Sequence, residues 1–184
     1  MTDDVAGAIG HWIENTVIGL NLCPFARKDW LKNRVRLHVS DAQNETSLLE
    51  DLAIELRRLT ECPSIETTLL IHPKVLQSFD QYNQFLDTAD WLLEELHVKG
   101  EYQVASFHPE YQFADSEPNS VENYTNRSPY PVLHLLRETS LEYAINMHSD
   151  TEKIPHKNIQ TVQEIGLSAM KRKLNECYEF AQKS

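Results

Sequence analysis

Two histidines stand directly before prolines at the ends of β-rich runs. His72-Pro73 closes Thr67-Thr68-Leu69-Leu70-Ile71, and His108-Pro109 closes Tyr102-Gln103-Val104-Ala105-Ser106-Phe107. Imidazole changes charge near neutrality, so it carries protons and ligates metals where other side chains do not. If the two runs are parallel strands, both histidines lie on the carboxyl edge of the sheet, where loops converge and ligands bind in α/β proteins. His134 supplies a third imidazole, and His72, His108 and His134 form the predicted catalytic set. His38, one residue before the end of an earlier run, could join His72 and His108 at that edge as a third member, although Arg36 beside it suggests a solvated face. The plainer alternative is that each histidine is a strand-end residue bonded to nearby backbone.

The segment Asn123-Tyr124-Thr125-Asn126-Arg127-Ser128-Pro129-Tyr130-Pro131 is dense in hydrogen-bonding side chains and stiffened by two prolines. It predicts a ligand-binding loop using Asn123, Tyr124, Asn126, Arg127 and Tyr130. Pro131 can open a short helix in which His134, Arg137 and Glu138 fall at i, i+3 and i+4 on one face. Two chemistries are then open. A divalent metal such as zinc or iron could use His72, His108 and His134 with Glu138 or Asp115. Alternatively, Arg127 and Arg137 could grip a carboxylate or phosphate while a histidine moves a proton. Diagnostic metal spacings and glycine-rich phosphate loops are missing, with only five glycines in the chain. A non-catalytic alternative makes the aromatic 109–131 loop a docking surface for another protein.

The elements that must position these residues follow from periodicity. Val5, Ile9, Trp12, Ile13, Thr16, Val17 and Leu20 recur at helical spacing before Pro24. Residues 34–39 alternate as a strand, and Ser47 with Glu50 forms a capping-box spacing ahead of a leucine stripe from Leu48 to Leu59. Strands at 67–72 and 102–108 flank a long helix running from Phe79 to Leu96, which Gly100 ends. Thr139 and Glu142 could cap a further helix, and Ile159 to Tyr178 suggests one terminal helix. The order is β-α-β-α-β, so the expected fold is α/β: a small, mainly parallel sheet with an N-terminal helix and C-terminal helices. No repeat or linker divides it, so residues 1–184 are expected to form a single domain.

Lys and Arg total 17 against 28 Asp and Glu, a formal charge of −11. That balance repels phosphate backbones and anionic lipid, so the expected partner is a small polar or anionic molecule rather than nucleic acid or a membrane. Three scattered cysteines, Cys23, Cys62 and Cys177, suit a reducing compartment, and no signal-peptide pattern opens the chain, which predicts a cytoplasmic protein. Cys23 ends the first helix, where the dipole disfavours a thiolate, so it is read as structural rather than reactive.

The stretches Gly19-Leu20-Asn21-Leu22-Cys23-Pro24-Phe25-Ala26, Thr67 to Pro73, Ala105 to Phe113 and Asn123 to Glu138 together resemble bacterial domain-of-unknown-function family 1415. The long motif from Asn123 to Pro131, followed by His134-Leu135-Leu136-Arg137-Glu138, is the most specific part. The resemblance implies family membership and brings with it no activity, cofactor or catalytic residue.

Overall fold

The computed structural model describes residues 2–147 and 151–182. α1 (Thr2–Trp12) buries Val5, Ala8, Ile9 and Trp12 and continues directly into a π-helical segment, Ile13–Ile18. A short α2 (Ala26–Leu31) precedes β1 (Val35–Val39). α3 (Glu45–Glu61), β2 (Thr67–Ile71), α4 (Phe79–Glu95) and β3 (Tyr102–Phe107) follow in the expected order. α3 starts earlier than the Ser47-Glu50 pair suggests: Asn44 is its N-cap, and its side-chain oxygen accepts from the Ser47 N–H at 2.9 Å.

The main correction concerns residues 132–137. They form β4 (Val132–Arg137), not a helix opened by Pro131. Val132-Leu133-His134-Leu135-Leu136 is a near-continuous apolar run between strands, and such a run fits a strand covered on both faces. β4 lies inside the sheet, whose order is β1-β2-β4-β3. It pairs antiparallel with β2 (Ile71 opposite Val132) and with β3 (Phe107 opposite Val132), whereas β1 and β2 pair in parallel. β1, β2 and β3 therefore all point one way, and β4 alone runs against them.

Helices cover both faces. Leu48, Leu52, Leu56 and Leu59 of α3 and Tyr82, Phe85 and Ala89 of α4 pack on Leu70, Leu133 and Leu135. On the other face α1 and α7 (Leu167–Ala181) pack on Leu69, Ile71 and Val132. α5 (Glu138–Met147) follows β4 at once, so Thr139 sits inside its first turn rather than capping it. The single terminal helix expected over 159–178 is two, α6 (Ile154–Ile165) and α7, parted at Gly166 whose φ of 84° an L side chain rarely adopts. Among the described residues, no helix is long and apolar enough to cross a membrane.

Candidate functional site

Because β2 and β3 point the same way, His72 and His108 leave the sheet on one edge. Side chains alternate along a strand, so His72 shares the face of Leu70 and His108 that of Tyr102 and Val104, the side covered by α4. Tyr82 of α4 stands between the two rings, stacked on His72 at a centroid distance of 5.8 Å and 5.0 Å from His108. Phe79 lies 5.5 Å from His108 and 5.2 Å from Tyr111, so the start of the long loop closes the cluster. The Tyr82 hydroxyl donates to the Val132 carbonyl at 2.7 Å and accepts from the Phe107 N–H at 3.1 Å. One helix is thereby pinned to the strand ends that carry both histidines.

The two imidazoles differ in what they have left to bond. His108 Nε2 faces the Leu76 carbonyl at 3.1 Å, which can only accept, and its Nδ1 faces the Glu110 N–H at 3.0 Å, which can only donate. The Nε2–H tautomer is thus fixed and both nitrogens are used. His72 Nδ1 faces the Val75 carbonyl at 2.9 Å and must carry the proton. Its Nε2 is buried and meets no donor among the described residues. The residue is 1% exposed, and burial, with His108 adding to it, lowers the His72 pKa to about 4. His72 is consequently a neutral base at pH 7, with its tautomer fixed and one lone pair free. The segment between Pro73 and Leu76 is clamped by both histidines, and Leu76 holds a φ of 56°, a conformation costly for a branched residue.

His134 does not join them. It shares the β4 face of Val132, on the α1 side, so the sheet separates it from His72 and His108. Its Nε2 donates to Thr67 Oγ1 at 2.8 Å, while the Thr67 hydroxyl donates to the Leu135 carbonyl. Desolvation holds its pKa below the ordinary range. Glu138 follows the far end of β4 and Asp115 is exposed in the long loop, so the proposed metal set does not assemble. Among the described residues, no group of three or more His, Cys, Asp or Glu is placed to hold a metal ion.

The expected pair of arginines is also divided. Arg137, of opposite parity to His134 on the strand, bonds the Leu59 carbonyl, the Ile65 carbonyl at 3.1 Å and the Tyr102 hydroxyl at 3.0 Å. It ties α3, the stretch before β2 and β3 together far from the histidine edge. Arg127 bonds the Tyr111 carbonyl at 3.1 Å and the Pro118 carbonyl at 2.7 Å, with its guanidinium 4.7 Å from the Tyr124 ring centre.

The other loop residues mostly hold the loop. Asn123, fully buried, accepts from the Phe113 N–H at 3.1 Å and the Ser116 hydroxyl at 2.7 Å, and donates to the Glu117 carbonyl at 2.9 Å. Asn126 donates to the Ser106 carbonyl at 3.2 Å. Tyr124 is buried with Val162 and Met170, and Tyr130 meets Tyr178 edge-on at 5.6 Å. Cys23 does not end a helix: the helical segment stops at Ile18 and Cys23 lies in the turn before α2, half-buried, with burial raising its thiol, and all three cysteines are free.

Two features escaped the sequence reading. Tyr82 follows Phe79 by three residues in an apolar helix, as a core residue does, and only its hydroxyl marks the strand-end contact. Glu55 also sits within the leucine stripe of α3, yet its carboxylate is fully buried and receives Arg36 Nε at 2.7 Å and Arg58 Nε at 3.3 Å. Arg36 and His38 therefore face α3 rather than solvent alone, with Arg36 Nη2 3.3 Å from His38 Nδ1.

The family described as protein of unknown function DUF1415 matches this chain over residues 4–172. No curated protein and no solved structure matches it.

Proposed function

We propose that this chain, which belongs to the DUF1415 family of proteins of unknown function, acts on or binds a small polar molecule at the carboxyl edge of its sheet. The working group is His72. The observation that carries this reading is the buried His72 Nε2 without a donor, in a ring whose other nitrogen is committed to Val75. A buried acceptor left unmet costs about 1–3 kcal/mol, and natural proteins carry such costs at functional or strained sites. A neutral imidazole held in one tautomer accepts a hydrogen bond, or a proton, from a ligand N–H or O–H. The strained turn at Leu76 supports the same location, since backbone strain gathers at ligand clamps. Arg137, His134 and a bound metal have no part in this reading.

The docking alternative has less to support it. Among the described residues, none of the large exposed apolar side chains falls within 109–131; they are Leu31, Ile54, Trp91, Leu96, Tyr143, Ile145 and Phe180. The test is thermal unfolding of wild type and His72→Phe against a panel of small amides, alcohols and hydroxy acids. A compound that raises the wild-type midpoint and leaves the variant unmoved supports the site. A panel that moves both proteins equally, or neither, removes it.

A further inference from the structure

The two bonds of the His108 ring reach different parts of the chain. Nε2–H donates to the Leu76 carbonyl beyond β2 at 3.1 Å, and Nδ1 accepts from the Glu110 N–H at 3.0 Å. The second bond lies inside a β-turn, His108-Pro109-Glu110-Tyr111, closed by the Tyr111 N–H on the His108 carbonyl at 3.1 Å. Pro109 fixes φ at the first central position, and Glu110 at the second does not hold a positive φ. In this turn the Pro109–Glu110 peptide presents its N–H to the imidazole. A trans peptide points its N–H and C=O opposite ways, so the Pro109 carbonyl faces away from the ring.

Only one of these bonds survives a proton. A protonated imidazole carries a hydrogen on each nitrogen, so Nε2–H keeps the Leu76 carbonyl while Nδ1–H meets the Glu110 N–H, donor against donor. His108 has no exposed surface, so water does not relieve the conflict. Turning the central peptide over does, because it brings the Pro109 carbonyl to where the N–H stood. The Tyr111 bond to His108 stays, since type I and type II turns, both with Pro at the first central position, close through the same bond. The cost falls on Glu110, which takes the positive φ a type II turn requires. Burial holds His108 below the ordinary histidine value, and Arg127 adds to that, while the Leu76 bond and the exposed Glu110 carboxylate oppose it. The other groups packed on the ring bring no charge: His72 stays neutral until about pH 4, and Phe79 and Tyr82 of α4 present their rings.

We propose that His108 and the Pro109–Glu110 peptide form a proton-driven switch, in which a proton on Nδ1 turns the peptide over and replaces an N–H···N bond by an N–H···O=C bond. The proton comes from solvent, and the bonds to Leu76 and within the turn stay. Above the midpoint the turn directs the Pro109 carbonyl outward, and below it the Glu110 N–H. The start of the long loop therefore offers an acceptor when His108 is neutral and a donor when it is charged. The switch does not rest on the role given to His72.

The test follows ring and peptide together by NMR of the full chain as pH is lowered. The His108 ring nitrogens report charge, and the Glu110 amide reports its bond through its shift and temperature dependence. Both should move with one midpoint, below about 6.5, and the Glu110 amide should pass from bonded to solvent-exposed while the Tyr111 amide stays bonded. Glu110→Gln, which removes the carboxyl, should keep the transition. Glu110→Gly lacks the carboxyl too but adopts positive φ freely, so its His108 should titrate about one pH unit above that of Glu110→Gln. Glu110 is exposed, so neither variant disturbs the core. The proposal is overturned if His108 stays neutral until the chain unfolds, or if the Glu110 amide keeps its bond once the ring is charged. It is overturned equally if the amide transition vanishes in Glu110→Gln, or if the glycine and glutamine variants titrate together.

Discussion

Replacing His72 and His108 in turn by Phe separates a histidine with an unmet nitrogen from one that is fully bonded. In His108→Phe the buried Leu76 carbonyl and the Glu110 N–H both lose their partner, and the strained turn loses its clamp. The expected cost is about 2–4 kcal/mol in urea unfolding at pH 7. In His72→Phe the ring can still stack on Tyr82, the orphan acceptor disappears, and Gln77 Nε2 still approaches the Val75 carbonyl at 3.4 Å. That variant should lie within about 1 kcal/mol of wild type. A His72→Phe protein as badly destabilised as His108→Phe would make His72 a purely structural residue. The His-Pro pairs were legible in the sequence because a β-rich run ending in His-Pro fixes where the imidazole leaves the sheet. Which nitrogen stays free was not legible, since it depends on carbonyls of the turn that follows.

At the scale of elements, the β-α-β-α-β order was readable because each segment has its own period and its own terminator. β4 was not. Its His134, Arg137 and Glu138 fit a helical spacing as well as a strand, and a short apolar run does not decide between them. The pairing with β2 and β3 decides it, and pairing is a property of distant sequence. The consequence for Arg137 is concrete: it is a tie between elements rather than a ligand contact. Arg137→Lys should cost about 2–3 kcal/mol in chemical denaturation, because an ammonium cannot reach the Leu59 and Ile65 carbonyls and the Tyr102 hydroxyl together. A variant as stable as wild type would contradict that role. The long loop invites a second test. Asn123→Ala removes the bonds to Phe113, Ser116 and Glu117, so hydrogen exchange should quicken over residues 111–120 while β2 and β4 stay protected. Unchanged exchange in the loop would show that its prolines alone hold it.

For the whole molecule, charge and burial combine in the response to acid. An unfolded chain protonates His72 near the ordinary value of about 6.5, whereas the folded one resists until about 4. Between those values the unfolded state binds more protons, so stability falls as pH drops, by about 1.4 kcal/mol per pH unit for this histidine. Above the upper value both states are neutral and the contribution vanishes. His134, also lowered by desolvation, steepens the same slope. His72→Phe should flatten the slope of unfolding free energy against pH, and a slope unchanged by the substitution would mean that His72 does not titrate below its unfolded value. The most direct measurement of the account is the ionisation and tautomer of His72 itself, by long-range ¹H–¹⁵N NMR of the folded chain across pH. His72 should be a neutral Nδ1–H ring at pH 7, unprotonated at Nε2 and titrating only near pH 4. A ring protonated at Nε2, or one that titrates near 6.5, would contradict it.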